Sequence, residues 1–239
     1  MTITWYGQSC FEIVVKNREN GETVIVTDPF SEEVGLKLPK LNADVLLITH
    51  QHPDHNNVKA VHPVKSREAG IPPSAELFDR VNGEHFLINS PGEYEIKDVF
   101  IQGIIASHDT QGGKERGDVI IYKIEGEDIT LCHLADLGQK ELTSEQLEQI
   151  GDVDILIIPV GGKVTIDAKE ASEIISQIEP RVVIPMHYKI PNLKLKAELD
   201  GVDRFLKVMG EEGAVPEKKF KITAKNLPAE ETKIVVLEP

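Results

Sequence analysis

Three histidines and an aspartate fall within six residues in Val45-Leu-Leu-Ile-Thr-His50-Gln-His52-Pro-Asp54-His55-Asn-Asn57. Ligands on one helical face recur at i and i+4, which the spacing His-x-His-x-Asp-His does not provide. A loop leaving the end of an apolar strand suits it better. There His50 and His52 can turn toward one ion while Asp54 and His55 turn toward another. Imidazole with carboxylate is the donor set of Zn²⁺, with Mn²⁺ or Fe as alternatives. A polar surface turn seldom gathers three histidines behind a run of four apolar residues, so this segment is the first candidate for chemistry.

Further ligands must come from elsewhere in the chain. His108 closes the run Val99-Phe-Ile-Gln-Gly-Ile-Ile-Ala-Ser107, His187 closes Val182-Val-Ile-Pro-Met186, and Asp136 follows Ile129-Thr-Leu-Cys-His-Leu-Ala135. Each lies just beyond the carboxyl end of an expected strand, where α/β sheets collect their ligands. His133 reads as a hydrogen-bonded core residue or a support for the site; His62 and His85 have no ligand-like context. Gly112-Gly113 suit a loop at the site mouth, and Gly161-Gly162 a turn. Tyr188 could touch substrate or simply pack. Lys189, Lys194 and Lys196 are either a solvated face or a contact for a substrate phosphate or carboxylate.

The elements that would position these residues are read from apolar runs broken by Gly, Pro and Asp. Strands are expected at Ile3–Tyr6, Phe11–Val15, Thr23–Thr27, Val45–Ile48, His85–Ile88, Val99–Ala106, Val119–Ile124, Thr130–Cys132, Ile155–Pro159, Val182–Pro185, Phe220–Ala224 and Ile234–Leu237. Helices are expected at Ser144–Ile150, Ala168–Ile178 and Val202–Met209. Many early strands followed by strand–helix–strand units indicate an α/β protein with mixed sheets. The 239 residues suit a single domain, residues 1–239, with a C-terminal extension from about Lys189. That extension would complete the domain or meet a partner subunit. Lys65–Ser74 and Gly210–Lys218 are the softest segments.

Lys plus Arg is 26 and Asp plus Glu is 40, a formal charge of −14. That balance disfavours nucleic acid as a partner, since phosphate binding usually draws on a basic patch. No apolar run approaches the roughly 20 residues of a spanning helix, so no membrane partner is expected. The start, Met1-Thr-Ile-Thr-Trp-Tyr6, has neither the basic nor the apolar part of an export signal. With Cys10 and Cys132 as the only cysteines, a reducing cytoplasm is the expected location.

The full His50–His55 signature resembles that of the metallo-β-lactamase superfamily. Trp5-Tyr-Gly7, Pro91-Gly-Glu-Tyr94, His133-Leu-Ala-Asp136-Leu-Gly138, Pro159-Val-Gly-Gly162 and Pro185-Met-His187-Tyr188 are similar to the prokaryotic branch that includes ascorbate-phosphate lactonase. The resemblance implies a four-layer αβ/βα sandwich. It implies a first zinc held by His50, His52 and His108, a second by Asp54, His55 and His187, and Asp136 between them. It also gives Asp28 the role of orienting a ligand histidine. Ala135 stands where many relatives have Gly, and Gln8 where the lactonase branch often has His. His52 stands where flavo-diiron relatives have Glu, which favours hydrolytic over redox chemistry. The implied activity is hydrolysis of an ester-like bond in a small-molecule substrate (lactone, thioester or phosphodiester) by a hydroxide shared between two metal ions. Asp54 is the catalytic candidate, orienting the nucleophile and passing a proton to the leaving group. Competing readings are a nuclease, which the charge disfavours, and a non-catalytic sensor or scaffold, which the seven filled ligand positions disfavour.

Overall fold

The computed structural model describes residues 1–18, 21–64, 80–81 and 85–239. The soft segment Lys65–Ser74 lies outside the described residues, and so does the side chain of His85. Sixteen strands are described: β1 Thr2–Gly7, β2 Cys10–Lys16, β3 Glu22–Thr27, β4 Leu41–Ala43, β5 Val45–Leu47, β6 Val61–Pro63, β7 Arg80–Val81, β8 His85–Ile88, β9 Gly92–Ile96, β10 Val99–Ser107, β11 Asp118–Gly126, β12 Ile129–His133, β13 Ile155–Pro159, β14 Val182–Met186, β15 Phe220–Lys221 and β16 Lys233–Ile234. The described helices are α1 Ser144–Ile150, α2 Ala168–Ile178 and α3 Val202–Met209.

Two seven-stranded sheets result, in the orders β15-β1-β2-β3-β5-β8-β7 and β16-β14-β13-β12-β11-β10-β9. Residues from both sheets and from α2 share one buried core, with Ile3, Trp5 and Ile13 of the first sheet joining Ile101, Ile121 and Leu131 of the second. Behind the first sheet, Cys10, Val26, Phe30, Leu41, Leu46 and Val61 make a smaller core. Cys10 and Cys132 are buried free thiols. No helix among the described residues is long and apolar enough to cross a membrane.

Strand placement follows from patterning. β1 alternates between half-buried and buried residues, whereas β5, β13 and β14 are buried at every position. Alternation marks one-faced strands; continuous apolar runs mark parallel strands covered on both faces. β12, β13 and β14 are indeed parallel, and the connections between them carry α1 and α2. Capping boxes start both helices, Thr143 with Gln146 and Asp167 with Glu170. α2 buries Ala168, Ala171, Ile174, Ile175 and Ile178, the apolar stripe of an amphipathic helix.

Two expected strands are corrected. Phe220–Ala224 pairs only at Phe220–Lys221 before a 3-10 turn at Ala224–Asn226, and Ile234–Leu237 pairs as Lys233–Ile234 with a separate bridge at Leu237. Both are short edge segments, stopped when the chain turns away from its partner. β15 extends the first sheet beside β1, and β16 extends the second beside β14. The C-terminal stretch therefore borders both sheets, and Phe220, Val235, Val236 and Leu237 are buried in the shared core. β4, β6, β7 and β9 were not expected. Three are two- or three-residue strands, and β9 is an edge strand exposed along most of its length, so none carries a strong apolar pattern.

Candidate metal centre

The first sheet delivers the turn Gln8–Ser9, Asp28 and the loop Thr49–His55; the second delivers His108, Asp136 and His187. All follow carboxyl ends of strands, so the two sheets present them on one rim. Tyr122 joins the sheets beneath it, its hydroxyl 3.0 Å from Ile48 O and 2.9 Å from Ile88 O. The Ile120 N–H donates to Thr49 O at 2.9 Å. These bonds tie the histidine loop to the neighbouring sheet, so the loop is anchored at its root.

All seven residues singled out as ligands come together. The ligand atoms of His50, His52 and His108 lie within 4.8 Å of one another, as do those of Asp54, His55 and His187. Asp136 Oδ2 lies 3.2 Å from His55 Nε2, 3.1 Å from His187 Nε2 and 4.0 Å from His108 Nε2. The carboxylate thus stands between the two clusters. His55 Nε2 and both His187 ring nitrogens are buried without a hydrogen-bond partner among the described residues. Nitrogens close to a carboxylate but misaligned for hydrogen bonding are what ligands sharing a central cation look like. The donor set and this misalignment both fit divalent metal ions.

Asp28 sets the tautomers. Its carboxylate accepts from Thr49 N–H at 2.8 Å, from Thr49 Oγ1 at 2.6 Å and from His55 Nδ1 at 3.1 Å. With its own proton directed to Asp28, Thr49 Oγ1 must accept from His50 Nδ1, 2.9 Å away. One buried carboxylate thereby leaves the Nε2 lone pairs of both His50 and His55 facing the cluster. Asp136 is oriented in turn by Ser9 Oγ, which donates to its Oδ1 at 2.8 Å.

Electrostatics at the rim pull in opposite directions. Burial and the neighbouring His55 push His50 down to about 2, and burial brings His108 down to about 4. Burial also opposes the charged form of His55, but Asp136, Asp28 and Asp54 outweigh it and raise His55 well above the usual imidazole range. Asp136, opposed by burial, is held well below the carboxylate range by His187 and His55. Burial likewise works against Asp54, yet the bond to His55 brings it to about 2. A cluster with some imidazoles neutral and one charged among carboxylates suits a cation that takes the proton's place.

His133 Nδ1 accepts from Ala135 N–H at 3.1 Å, so its Nε2 donates to Ser9 O at 3.2 Å. It is a core residue that also fixes the turns bearing Asp136 and Ser9. Tyr188 packs on Trp5, ring centroids 4.9 Å apart, and its hydroxyl donates to Leu237 O. His62 is exposed on β6. Lys189 pairs with Glu198 at 2.7 Å. Gly113 belongs to the loop that follows His108, its N–H bound to Asp109. Gly161 is more than a turn: a β-carbon there would collide with the carbonyl oxygen of His187, and one at Gly138 with the backbone of His108. Only glycine permits those approaches.

Sequence reasoning missed Ser9 and Thr49. Thr49, adjacent to His50 and able to use both its proton and its lone pair, carried a readable signal. Ser9 carried none. A cleft of about 420 Å³ opens beside the first cluster, lined by His50, His52, Asn89, Pro91, Ile105 and Arg116 among others. Another, about 500 Å³, sits among Lys16, Arg18, Glu127 and Asp128 at the far ends of the strands, away from the histidines.

A fold of two mixed sheets carrying this His/Asp rim defines a class of protein, and comparison with known proteins names it. Residues 2–187 match the model of the β-lactamase superfamily domain. A UPF0173 metal-dependent hydrolase of Staphylothermus marinus is 31% identical over 198 residues, 78% of this chain and 82% of that protein. One from Thermoplasma volcanium is 32% identical over 200 residues, again 78% of this chain and 82% of that protein. A crystal structure from Thermotoga maritima, provisionally described as a Zn-dependent hydrolase of the metallo-β-lactamase superfamily, superposes with TM-score 0.71 at 33% identity. It covers 99% of this chain and 97% of that one. The chain belongs to the metallo-β-lactamase superfamily.

Proposed function

We propose that this protein is a metal-dependent hydrolase with a dinuclear, zinc-type site that cleaves an ester-like bond of a small metabolite. One observation carries the reading: two groups of three ligand atoms converge from both sheets with Asp136 Oδ2 between them, and His55 Nε2 and both His187 ring nitrogens are buried there without a hydrogen-bond partner among the described residues. His50, His52 and His108 would hold one ion, Asp54, His55 and His187 the other, and Asp136 would reach both. When bound, such ions supply Lewis acidity and a nucleophile usable at neutral pH. Relatives described as metal-dependent hydrolases, and a structural neighbour described as Zn-dependent, support the class and the metal.

The chain's own residues do the rest. Asp28 and Thr49 keep His50 and His55 in the ligating tautomer. Asp54 is half-buried, with its carboxylate held ionised, so it accepts a hydrogen bond from an attacking nucleophile and fixes its direction. The lactonase branch is the weaker choice within this class. Gln8, at the position of its frequent His, is buried with its amide turned to no partner among the described residues.

Elemental analysis of protein purified without added metal, beside a His52→Ala, His55→Ala variant, tests the site. About two equivalents in the wild type and loss in the variant are expected. No retained metal after reconstitution would overturn the proposal. A screen of lactones, thioesters and phosphodiesters then tests the bond class. Asp54→Asn should lose most turnover; wild-type rates at unchanged metal content would remove its catalytic role.

A further inference from the structure

The cleft beside His50 and His52 has a composition that narrows the substrate, given the hydrolase reading above. Its apolar wall includes Ile105, one of the few large apolar side chains left exposed, at 46%, together with Ile120 and Pro91. At its rim stands Arg116, exposed, with no carboxylate within 4.0 Å of its guanidinium nitrogens among the described residues.

Arg116 is also held in place. Asp109, next to His108, accepts from the backbone N–H groups of Gln111, Gly113, Glu115 and Arg116 at 2.7–3.0 Å. The His108 N–H donates to Gly117 O at 3.0 Å, closing the loop onto the metal cluster. With Asp109 gathering the loop and His108 bonded across it, the backbone that carries Arg116 is fixed beside the histidine cluster. Such preorganisation is what a substrate clamp requires.

We infer that Arg116 is a specificity residue that binds a terminal carboxylate on the substrate, with an apolar chain along Ile105 and Ile120 joining that carboxylate to the scissile ester-like bond at the metal centre. A guanidinium pairs with a carboxylate bidentately. Asp118 lines the same cleft, so the side chains there sum to no net charge, and a monoanion suits them better than a phosphate dianion.

Mono-p-nitrophenyl glutarate, p-nitrophenyl pentanoate and a p-nitrophenyl ester ending in phosphate would be compared as substrates of the Zn-loaded protein. The wild type should favour the glutarate over the pentanoate by about tenfold or more in kcat/KM. Arg116→Gln should bring that ratio close to one, and Arg116→Lys should restore part of it. An unchanged ratio in Arg116→Gln, or a preference for the phosphate ester, would overturn the inference while leaving the hydrolase reading standing. Binding separates the two further. Hexanoate, unlike hexanamide, should shift the Arg116 side-chain Nε–H resonance of the Zn-loaded protein. That shift without hydrolysis of any ester would keep the anion site and sink the ester reading; no shift would sink the anion site.

Discussion

Replacing Asp28 with Asn tests the claim that one buried carboxylate sets two histidine tautomers. Asp28 is wholly buried and accepts three hydrogen bonds, two of them at Oδ2 from Thr49 Oγ1 and His55 Nδ1. In Asn one oxygen becomes an NH₂ donor. If the amide keeps the Thr49 N–H bond, its NH₂ faces Thr49 Oγ1 and His55 Nδ1, so His55 must move its proton to Nε2, the atom aimed at Asp136. If it flips, the Thr49 N–H bond is lost. Supporting partners of this kind are worth about 10–100-fold in metal affinity, or about 1.4–2.8 kcal/mol. Disrupting bonds to a charged acceptor costs about 1.5–3 kcal/mol each. Loss of one would lower the melting temperature of a chain this long by roughly 3–12 °C. Competition with a chromophoric chelator reads the first effect, and calorimetry of the chelator-treated protein the second. Wild-type zinc affinity in Asp28→Asn would refute the tautomer argument outright. A lower melting temperature with unchanged affinity would leave Asp28 as a fold residue alone.

Gly161→Ala forces a β-carbon into the His187 carbonyl, so it should displace His187 and lower the metal bound relative to the wild type, read by elemental analysis, with secondary structure by circular dichroism unchanged. Metal-free protein should be most stable near neutral pH. Below about 6.5 the unfolded chain takes up protons that His50 (about 2) and His108 (about 4) refuse when folded, costing up to about 1.4 kcal/mol per pH unit each. His55, raised by its carboxylates when folded, contributes stability in full below about 6.5 and loses it as pH climbs toward its folded value. Melting temperatures of chelator-treated protein from pH 5 to 9 should trace that maximum, and a flat profile would contradict the shifts. Ile174→Ala, in the buried stripe of α2, should cost about 2–5 kcal/mol in urea unfolding while leaving metal content intact.

Legibility in the sequence tracked how strongly physics constrained each residue. Ala168–Ile178 was readable to the residue because its apolar stripe and its Asp167/Glu170 box agree. Ile155–Pro159 was readable because a continuous apolar run that short fits only a buried strand. The edge strand Gly92–Ile96 was not, since half its neighbours are water and its residues need not be apolar. At the site, the candidate ligands stood out because histidine is rare and strand ends are predictable. The groups that aim them were invisible where their types are common: Ser9 is one serine among many until the fold places its hydroxyl on Asp136. Arg116 is likewise one of a few arginines until Asp109 gathers its loop.

Ala135 shows how the two layers of information meet. The resemblance to the superfamily makes glycine the expected residue there, and the structure gives a physical reason for that expectation: φ is +53°, in the left-handed region. Gln8, Asp28 and His187 share that conformation, with φ of 52°, 40° and 50°. Other non-glycine residues with positive φ, such as Lys97, Asp98, Glu127 and Asp128, sit in hairpin turns, where such geometry is ordinary. The four at the rim are instead buried. Each costs on the order of 1–3 kcal/mol and persists only where the surroundings over-determine it. The determinants here are nameable: Trp5 Nε1 and the His187 N–H both donate to Gln8 O, His133 Nδ1 accepts from the Ala135 N–H, and the Asp28 N–H donates to Leu47 O. The bond from His187 to Gln8 ties two of these strained turns to each other across the two sheets, and the others hold each turn to its own sheet. The backbone strain is therefore concentrated where the chain must reverse sharply to aim a donor into the cluster, and the sheets beneath hold it there.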